Sequence, residues 1–584
     1  MQKYLFFYCI LSISLFAEIC EENYPDKIPL FGDLHVHTAL SLDAATQGTI
    51  NRPEDAYRYG KGESISIQPY KNGIGQRTSK LSQPLDFMSV TDHAELLGEV
   101  NICESPELDG YSNLVCLGYR YFPKLAYFYM NGMASLAKPM SLCGNGRKNC
   151  KEATRTPWQE IIRSAEKHNA PCKFTTFVGY EWTGAKYSGN NLHRNIIFEN
   201  SSVPELPLSF YDATSREELW NKLDSECTKD CDYVVIPHNS NLSNGLMFED
   251  PNAEDYQRIA DREPLIEIFQ HKGASECIDE DDPYCDFELL EYTDFAAKFT
   301  GGDEEIPKES FARYGLNRGL ELKNDTANPF RFGFIASTDT HLAIPGATDE
   351  VSMPGHGGAG KSLSKKLPKG LPDDIEFNPG GLAVVWATNN SRKSIFQSLK
   401  SKEAYATSGP RYIVRFFGGQ EIHEDSCKLE TAISSAYQKG VPMGGTLNKI
   451  NSNPRFLISA IADQNDNNQY ISSIQIIKSS YGGQTLHSEV IEVLDLSDSY
   501  QLDETSCMVS GIKKKNYCSV WEDNNFDEDE DAYYYLRVIS APTCRWSHEL
   551  CNQNPNFVKT TVSFQNPFKK GHGLHQFGLI KTNF

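Results

Sequence analysis

Short apolar runs, each closed by a burst of polar residues, recur from residue 28 to about residue 410. The runs are Ile28-Pro-Leu-Phe, Leu85-Asp-Phe-Met-Ser-Val, Phe174-Thr-Thr-Phe-Val, Tyr233-Val-Val-Ile, Leu265-Ile-Glu-Ile-Phe and Phe332-Gly-Phe-Ile. Such near-continuous β-branched and aromatic runs predict strands of a parallel sheet buried on both faces. Helical spacing lies between some of them. Thr156-Pro157 predicts a helix start, with Trp158, Ile161, Ile162 and Ala165 sharing one face. Thr214 with Glu217 reads as a capping box ahead of Leu219, Trp220 and Leu223. Strands alternating with helices predict an α/β fold, either a βα barrel or a doubly wound sheet. The polar bursts all follow strands, where a barrel places its chemistry, and this favours the barrel.

The pattern divides the chain. Residues 28–410 read as the barrel, with an insertion at about 100–155 that holds four cysteines. A Gly/Pro/Lys-rich stretch at about 345–380, containing Pro354-Gly-His-Gly-Gly, reads as a lid-like loop. Residues 411–560 carry Ser473-Ile-Gln-Ile-Ile-Lys, Glu489-Val-Ile-Glu-Val-Leu and Tyr533-Tyr-Tyr-Leu-Arg-Val-Ile, which predict a smaller antiparallel β-rich unit, and 561–584 a tail. At the start, Lys3 and the apolar run Tyr4 to Phe16 predict a signal peptide, residues 1–17, cut near Ala17. No later stretch approaches the 18 apolar residues of a transmembrane segment. Cys20 raises a lipid-anchor reading that the preceding Glu18-Ile19 fits poorly.

Composition narrows the function. The 584 residues carry a net charge of −22, whose long-range field opposes coating of DNA or of an anionic membrane. A small phosphorylated substrate stays open, because a local metal cluster can outweigh the global charge. Twelve of the 16 cysteines are near neighbours: Cys103/Cys116, Cys143/Cys150, Cys227/Cys231, Cys277/Cys285, Cys507/Cys518 and Cys544/Cys551. They predict short-loop disulfides and an exported protein, periplasmic or secreted, rather than zinc knuckles, which need paired C-x-x-C motifs. Cys9 leaves with the signal, so Cys20, Cys172 and Cys427 remain as an odd set.

The polar bursts hold the chemistry. His35-Val-His37 follows the first strand, and residues i and i+2 of an extended segment point the same way. Thr91-Asp-His93, Gly179-Tyr-Glu181, His193, Pro237-His238 and Asp339-Thr-His341 end or follow other strands. Imidazoles and carboxylates gathered at one barrel face suit two or three divalent ions: zinc, manganese or iron.

This ordered series, H-x-H, T-D-H, G-x-E, H, P-H and D-x-H, resembles the PHP (polymerase and histidinol phosphatase) superfamily of metal-dependent phosphoesterases on a distorted (βα)7 barrel. More narrowly, it resembles the exported branch called domain of unknown function 3604. That match rests on Phe31-Gly-Asp-Leu-His-Val-His-Thr, Ile236-Pro-His-Asn-Ser-Asn, Gly380-Gly-Leu-Ala-Val-Val-Trp-Ala, Tyr405-Ala-Thr-Ser-Gly-Pro-Arg and Pro442-Met-Gly-Gly-Thr-Leu. The resemblance implies a trinuclear site. His35, His37, Glu181 and Asp339 would hold one ion; Glu181 would bridge to a second on His193 and His238; Asp43, His93 and His341 would hold a third. Asp43 stands where many members have histidine, with a helix-cap role as its alternative.

Of these, Glu181, Asp339 and His93 are the expected catalytic set. Asp92 is expected to orient a ligand from behind, beside His93. Arg194 and Lys272 are the candidates for anchoring an anionic group, ahead of Arg52 and Lys186, and His271 and His356 are candidate general acids. No G-x-S-x-G elbow is present, and Gly355-His-Gly-Gly-Ala-Gly-Lys lacks P-loop spacing. Three functions follow: an exported phosphoesterase acting on a small-molecule ester, a metal hydrolase of an amide, lactone or sulfate ester, or a non-enzymatic exported binding module. Oligomeric state is not legible.

Overall fold

The computed structural model describes residues 20–186, 189–294, 305–325, 327–357, 377–448, 451–546 and 548, together with the backbone of 576–582. The expected signal peptide, the middle of the lid-like loop and most of the tail lie outside the described residues.

Nine strands build the part that carries the site: β1 (Ile28–Asp33), β2 (Phe87–Val90), β3 (Thr175–Trp182), β4 (Arg194–Phe198), β5 (Tyr233–Pro237), β6 (Leu265–Gln270), β7 (Gly333–Ala336), β8 (Leu382–Ala387) and β9 (Ala404–Thr407). Seven of them run in one curled half-barrel sheet in the order β9-β8-β1-β2-β3-β4-β5, while β6 and β7 form a separate parallel pair. The molecule is thus a mixed α/β protein.

An all-parallel sheet does not form. β1, β2 and β3 are parallel neighbours, but β3–β4, β4–β5, β1–β8 and β8–β9 pair antiparallel. The reason lies in the connections. Only residues 183–193 join β3 to β4, too few for a crossover helix, so the chain can only turn back beside the strand it has left.

The half-barrel is filled. Phe87, Phe177, Ile197, Val234, Leu265, Ile335, Ala383 and Val385, drawn from seven strands, share one buried cluster with Phe396 and Leu399 of the helix Arg392–Lys400. Outward residues such as Met88, Val178, Tyr180, Ile196 and Val235 pack beneath the surrounding helices.

Two helix starts differ from expectation. One helix runs Lys148–His168, with Pro157 inside it rather than in its first turn. The Cys143–Cys150 disulfide anchors the preceding segment, so the helix is already formed when it reaches the proline. Ser215, not Thr214, caps the helix Arg216–Glu226, accepting from the Glu218 N–H, while Thr214 N–H and hydroxyl donate to the Glu218 carboxylate. The predicted face is buried in both helices, except that Ile162 is half-buried.

Beyond β9 come β10 (Ile413–Gly419), β11 (Arg455–Ile461), β12 (Ile471–Gly482), β13 (Thr485–Asp495), β14 (Asn516–Glu522), β15 (Asp531–Ser540) and β16 (Gln576–Thr582). β10-β11-β14 make a separate antiparallel sheet, whereas β13-β12-β15-β16 continue the half-barrel sheet through β9. Arg537 on β15 is fully buried and bonds to Asp282 and Gln475, fixing the segment after β6 to the C-terminal strands.

Seven disulfides are formed. Cys103–Cys116, Cys143–Cys150, Cys227–Cys231 and Cys277–Cys285 are the expected short loops. Cys507 instead joins Cys544, and Cys518 joins Cys427, because β14 carries Cys518 beside the turn at Glu424–Lys428. Cys551 lies outside the described residues. Cys20 pairs with Cys172, so with Cys427 on Cys518 the odd set is used up, and the Cys20 thiol is not free to carry a lipid. Among the described residues no helix is long and apolar enough to cross a membrane. Disulfides in this number are consistent with an exported protein.

Candidate metal centre

Strand alternation aims the ligands. In β3, Phe177 faces the filled interior, so Glu181, four residues on, emerges on the same face at the strand's end. The same parity carries Phe87 to His93, Val234 to His238, Ile197 to His193 and Ile335 to Asp339. Apolar side chains fill the lower interior and the polar ones ring its upper rim.

Glu181 is the hub. One carboxylate oxygen lies 3.3, 3.2 and 3.3 Å from ring nitrogens of His35, His37 and His93; the other lies 2.8 and 3.2 Å from His193 and His238. Asp339 Oδ1 lies 3.2 Å from His35 Nε2 and 3.1 Å from His37 Nε2. Asp43 Oδ2 lies 3.1 Å from His93 Nε2 and 2.8 Å from His341 Nε2. All nine expected ligands therefore meet in one cluster. Asp43 sits in the short helix Leu42–Thr46, where its other oxygen accepts from the Ala44 N–H, so it faces the cluster and the helix start together.

The spacing fits cations. An ion with ligand bonds of about 2.0–2.2 Å sets neighbouring donor atoms about 2.8–3.1 Å apart in octahedral and about 3.3–3.6 Å apart in tetrahedral geometry. His37 Nε2 and Asp339 Oδ1 are buried and 3.1 Å apart, yet neither makes a hydrogen bond, as expected of two atoms aimed at a shared third. Within the cluster, His35/His37/Glu181, Glu181/His193/His238 and His37/His93/His341 are among the groups whose ligand atoms are close enough to hold an ion.

The same crowding perturbs ionisation. Burial resists charging the His35 ring, but Asp339 and Glu267 outweigh it and hold its pKa well above the usual value. His93 is pushed up to about 10, with Glu181 and Asp43 overcoming its burial. Burial and the neighbouring His35 push His238 down to about 3. Glu181 and Asp339 stay well below the carboxylate range despite burial, through His93 and His238 for the first and His35 and Lys272 for the second. Both are ready anionic ligands. Asp339 also adopts a left-handed backbone, φ 52°, at a strain of about 1–3 kcal/mol that clusters at functional positions.

A family model described as protein of unknown function (DUF3604) matches residues 24–565. The chain belongs to the DUF3604 family. No curated protein matches it. Among solved structures, it is similar to a two-domain protein containing a predicted PHP-like metal-dependent phosphoesterase from Bacteroides vulgatus ATCC 8482, at 11% identity over 89% of this chain and 96% of that chain. The TM-score of that likeness is 0.32.

In this DUF3604 protein the residues around the cluster take different places. Asp92 has the outward parity of Met88 and Val90 and points away from His93. It accepts from Thr38 N–H, Thr38 Oγ1 and Ser41 Oγ at 2.6–2.7 Å, and Ser41 Oγ lies 3.0 Å from His37 Nδ1. Asp92 thus reaches the His37 ring through a serine. Arg194 likewise shares the outward parity of Ile196 and Phe198; buried, it donates to Glu263 at 2.6 Å, so it is spent on an internal ion pair rather than offered to a substrate. Lys272 does face the cluster, with its ammonium on Asp339 Oδ2. His271 is buried 3.5 Å from the same oxygen, and His356 Nε2 donates to Pro379 O at 2.7 Å. Arg52 is paired with Glu160 and Lys186 with Glu249.

Three residues that contact the cluster escaped the sequence reading. Glu267, inward on β6 and 1% exposed, sets both oxygens 3.2 Å from His35 Nδ1. Asp33 accepts from Thr338 Oγ1, Gly346 N–H and His35 N–H, tying the His35 and Asp339 loops together; burial raises it to about 6. Gln270 donates to Asp339 Oδ2 at 2.7 Å. A lone glutamate inside Leu265-Ile-Glu-Ile-Phe was the available signal, since a charge in a doubly buried run needs a partner.

Proposed function

We propose that this protein is an exported metal-dependent hydrolase, a phosphoesterase of the PHP kind, whose catalytic unit is residues 28–410 on a barrel derived from the distorted (βα)7 plan. The division into that barrel, a β-rich unit at 411–560 and a tail from 561, and removal of residues 1–17, belong to the same reading. One observation carries it: a single carboxylate, Glu181, lies within 2.8–3.3 Å of five imidazoles at the rim of a filled half-barrel. Two or three zinc, manganese or iron ions on His35, His37, Asp43, His93, Glu181, His193, His238, Asp339 and His341 would supply an activated water and neutralise phosphoryl oxygens.

The chain's own residues prepare that chemistry. Glu181, Asp339 and His93 bind directly; Glu267 holds the His35 ring and Asp92, through Ser41, holds the His37 ring, so the donor atoms are set before loading. His93, His193 and Asp43 keep 13–16% of their side-chain surface open while the other ligands are buried, so substrate enters on their side. Lys272 supplies positive charge beside Asp339 for an anionic group.

A non-phosphate ester, lactone or amide is the second reading, favoured by one fact: Arg194 is paired with Glu263, which leaves Lys272 as the anion anchor facing the cluster. The test is turnover of bis-p-nitrophenyl phosphate and p-nitrophenyl phosphate by the manganese- or zinc-loaded protein. Phosphate release that chelation abolishes and metal restores is expected. Turnover confined to p-nitrophenyl acetate, sulfate or lactones would overturn the phosphoesterase reading in favour of the second.

A further inference from the structure

The insertion holds a feature the cluster does not explain. The helices Leu114–Tyr121 and Pro123–Ser135 form a hairpin whose inner side, with Cys116, Tyr119, Ala126, Met130 and Ala134, is buried in a small core shared with Leu42. Its outer side is apolar as well. Leu114, Tyr121, Phe122 and Leu125 are 67–83% exposed, and Phe128 and Tyr129 are 45% and 49% exposed. Eight of the 16 exposed large apolar side chains among the described residues lie between 114 and 136. A Cβ added at Gly118 or Gly132 would meet nothing within 4 Å, so at these two positions no described residue covers the face.

Charge identifies what does. From Gly110 to Lys151 there is no Asp or Glu, while Arg120, Lys124, Lys138, Arg147, Lys148 and Lys151 are all basic, in a chain of net charge −22. Lys124, Lys138 and Lys148 are exposed. Leucine and aromatic rings flanked by lysines, on helices too short to span, are the composition of a surface lying in the lipid headgroup region. A water-facing hairpin would carry the acidic residues that dominate elsewhere, and a protein partner gives no reason to exclude them so completely.

We propose that this hairpin docks the protein peripherally onto an anionic lipid surface, with Leu114, Tyr121, Phe122 and Leu125 entering the headgroup layer and Lys124 and Lys138 meeting lipid phosphates. The global charge does not forbid it. Exposed charges are screened within about 8 Å at physiological ionic strength, so the acid-free surface decides the contact once the hairpin faces the bilayer. The disulfides Cys103–Cys116 and Cys143–Cys150 staple the base, so the patch is presented ready-shaped. The hairpin packs on the helix that carries Asp43, beside the open edge of the cluster. The inference stands on the hairpin alone, whether or not the cluster hydrolyses phosphate.

The test is flotation of the metal-loaded full chain with vesicles of phosphatidylcholine alone and of phosphatidylcholine mixed with phosphatidylglycerol. Flotation with the anionic vesicles is expected, falling by at least about tenfold in the double variant Phe122→Ser, Leu125→Gln. Lys124→Gln should weaken it about fivefold, and added salt should do the same. Because these side chains are exposed, melting temperature and near-ultraviolet circular dichroism should match the parent. No flotation of the parent with anionic vesicles would overturn the proposal, as would variants that float as well as the parent. A concentration-dependent dimer abolished by the same double variant would also overturn it, showing that the patch covers a second copy.

Discussion

Replacing Glu267 with Gln isolates one contact that the account treats as decisive for metal affinity. The carboxylate is 1% exposed, and both oxygens stand 3.2 Å from His35 Nδ1. Gln keeps the shape and one acceptor but removes the charge that makes the opposite ring nitrogen, Nε2, a stronger donor. A full charge pair at that distance would be worth about 5 kcal/mol at an effective dielectric constant of about 20, an upper bound because a bound imidazole is neutral. Measured outer partners of metal-binding histidines are worth about 10–100-fold in affinity, or about 1.4–2.7 kcal/mol. Glu267→Gln should therefore weaken zinc or manganese binding about tenfold, and Glu267→Leu, which leaves Nδ1 without an acceptor, should approach a hundredfold. Competition with a chromogenic chelator reads both, and circular dichroism checks the fold. If both variants bind metal within twofold of the parent, the reasoning that Glu267 orients and polarises His35 is refuted.

Other expectations follow from buried charges elsewhere. Lys402, 9% exposed, is pushed down to about 8 by burial and then by Arg331, so the folded protein binds fewer protons than the unfolded chain between pH 8 and 10.5. Stability should rise with pH across that window. Lys402→Met should stabilise the protein by about 2–3 kcal/mol near pH 7.5, with that gain shrinking by about 2 kcal/mol at pH 9.5, read by urea denaturation at the two pH values. Arg194→Ala should cost about 3–5 kcal/mol of stability by stranding the buried Glu263, while the folded fraction keeps its KM; a raised KM at unchanged stability would return Arg194 to the substrate. Non-reducing peptide mapping should recover Cys427–Cys518, Cys507–Cys544 and Cys20–Cys172, and a Cys507–Cys518 peptide would contradict the C-terminal topology.

What the sequence revealed, and what it hid, follows from the range of each signal. All six apolar runs are strands, because continuous burial is written locally in residue type. Their directions are not, since Arg194–Phe198 turns back on β3 through a loop whose length only has meaning once both strands are known. The nine candidate ligands were legible because imidazoles and acids have little reason to gather at strand ends. Where the Asp92 and Arg194 side chains point was hidden for one shared reason: each adjoins a candidate ligand in sequence, and adjacent residues of a strand face opposite ways. Three disulfides escaped because loop closure over 37, 91 and 152 residues leaves no mark in spacing. The hairpin's face was hidden by averaging, since a net charge of −22 conceals a 42-residue stretch with no acid.

The central claim is that Glu181 gathers divalent ions at the half-barrel rim. Elemental analysis of the purified protein after reconstitution, beside Glu181→Gln handled identically, tests it most directly. The account predicts two or three equivalents of zinc, manganese or iron in the parent and at most one in the variant, which loses the shared charge of five imidazole contacts. A parent that retains no stoichiometric metal, or a variant that retains all of it, would contradict the account.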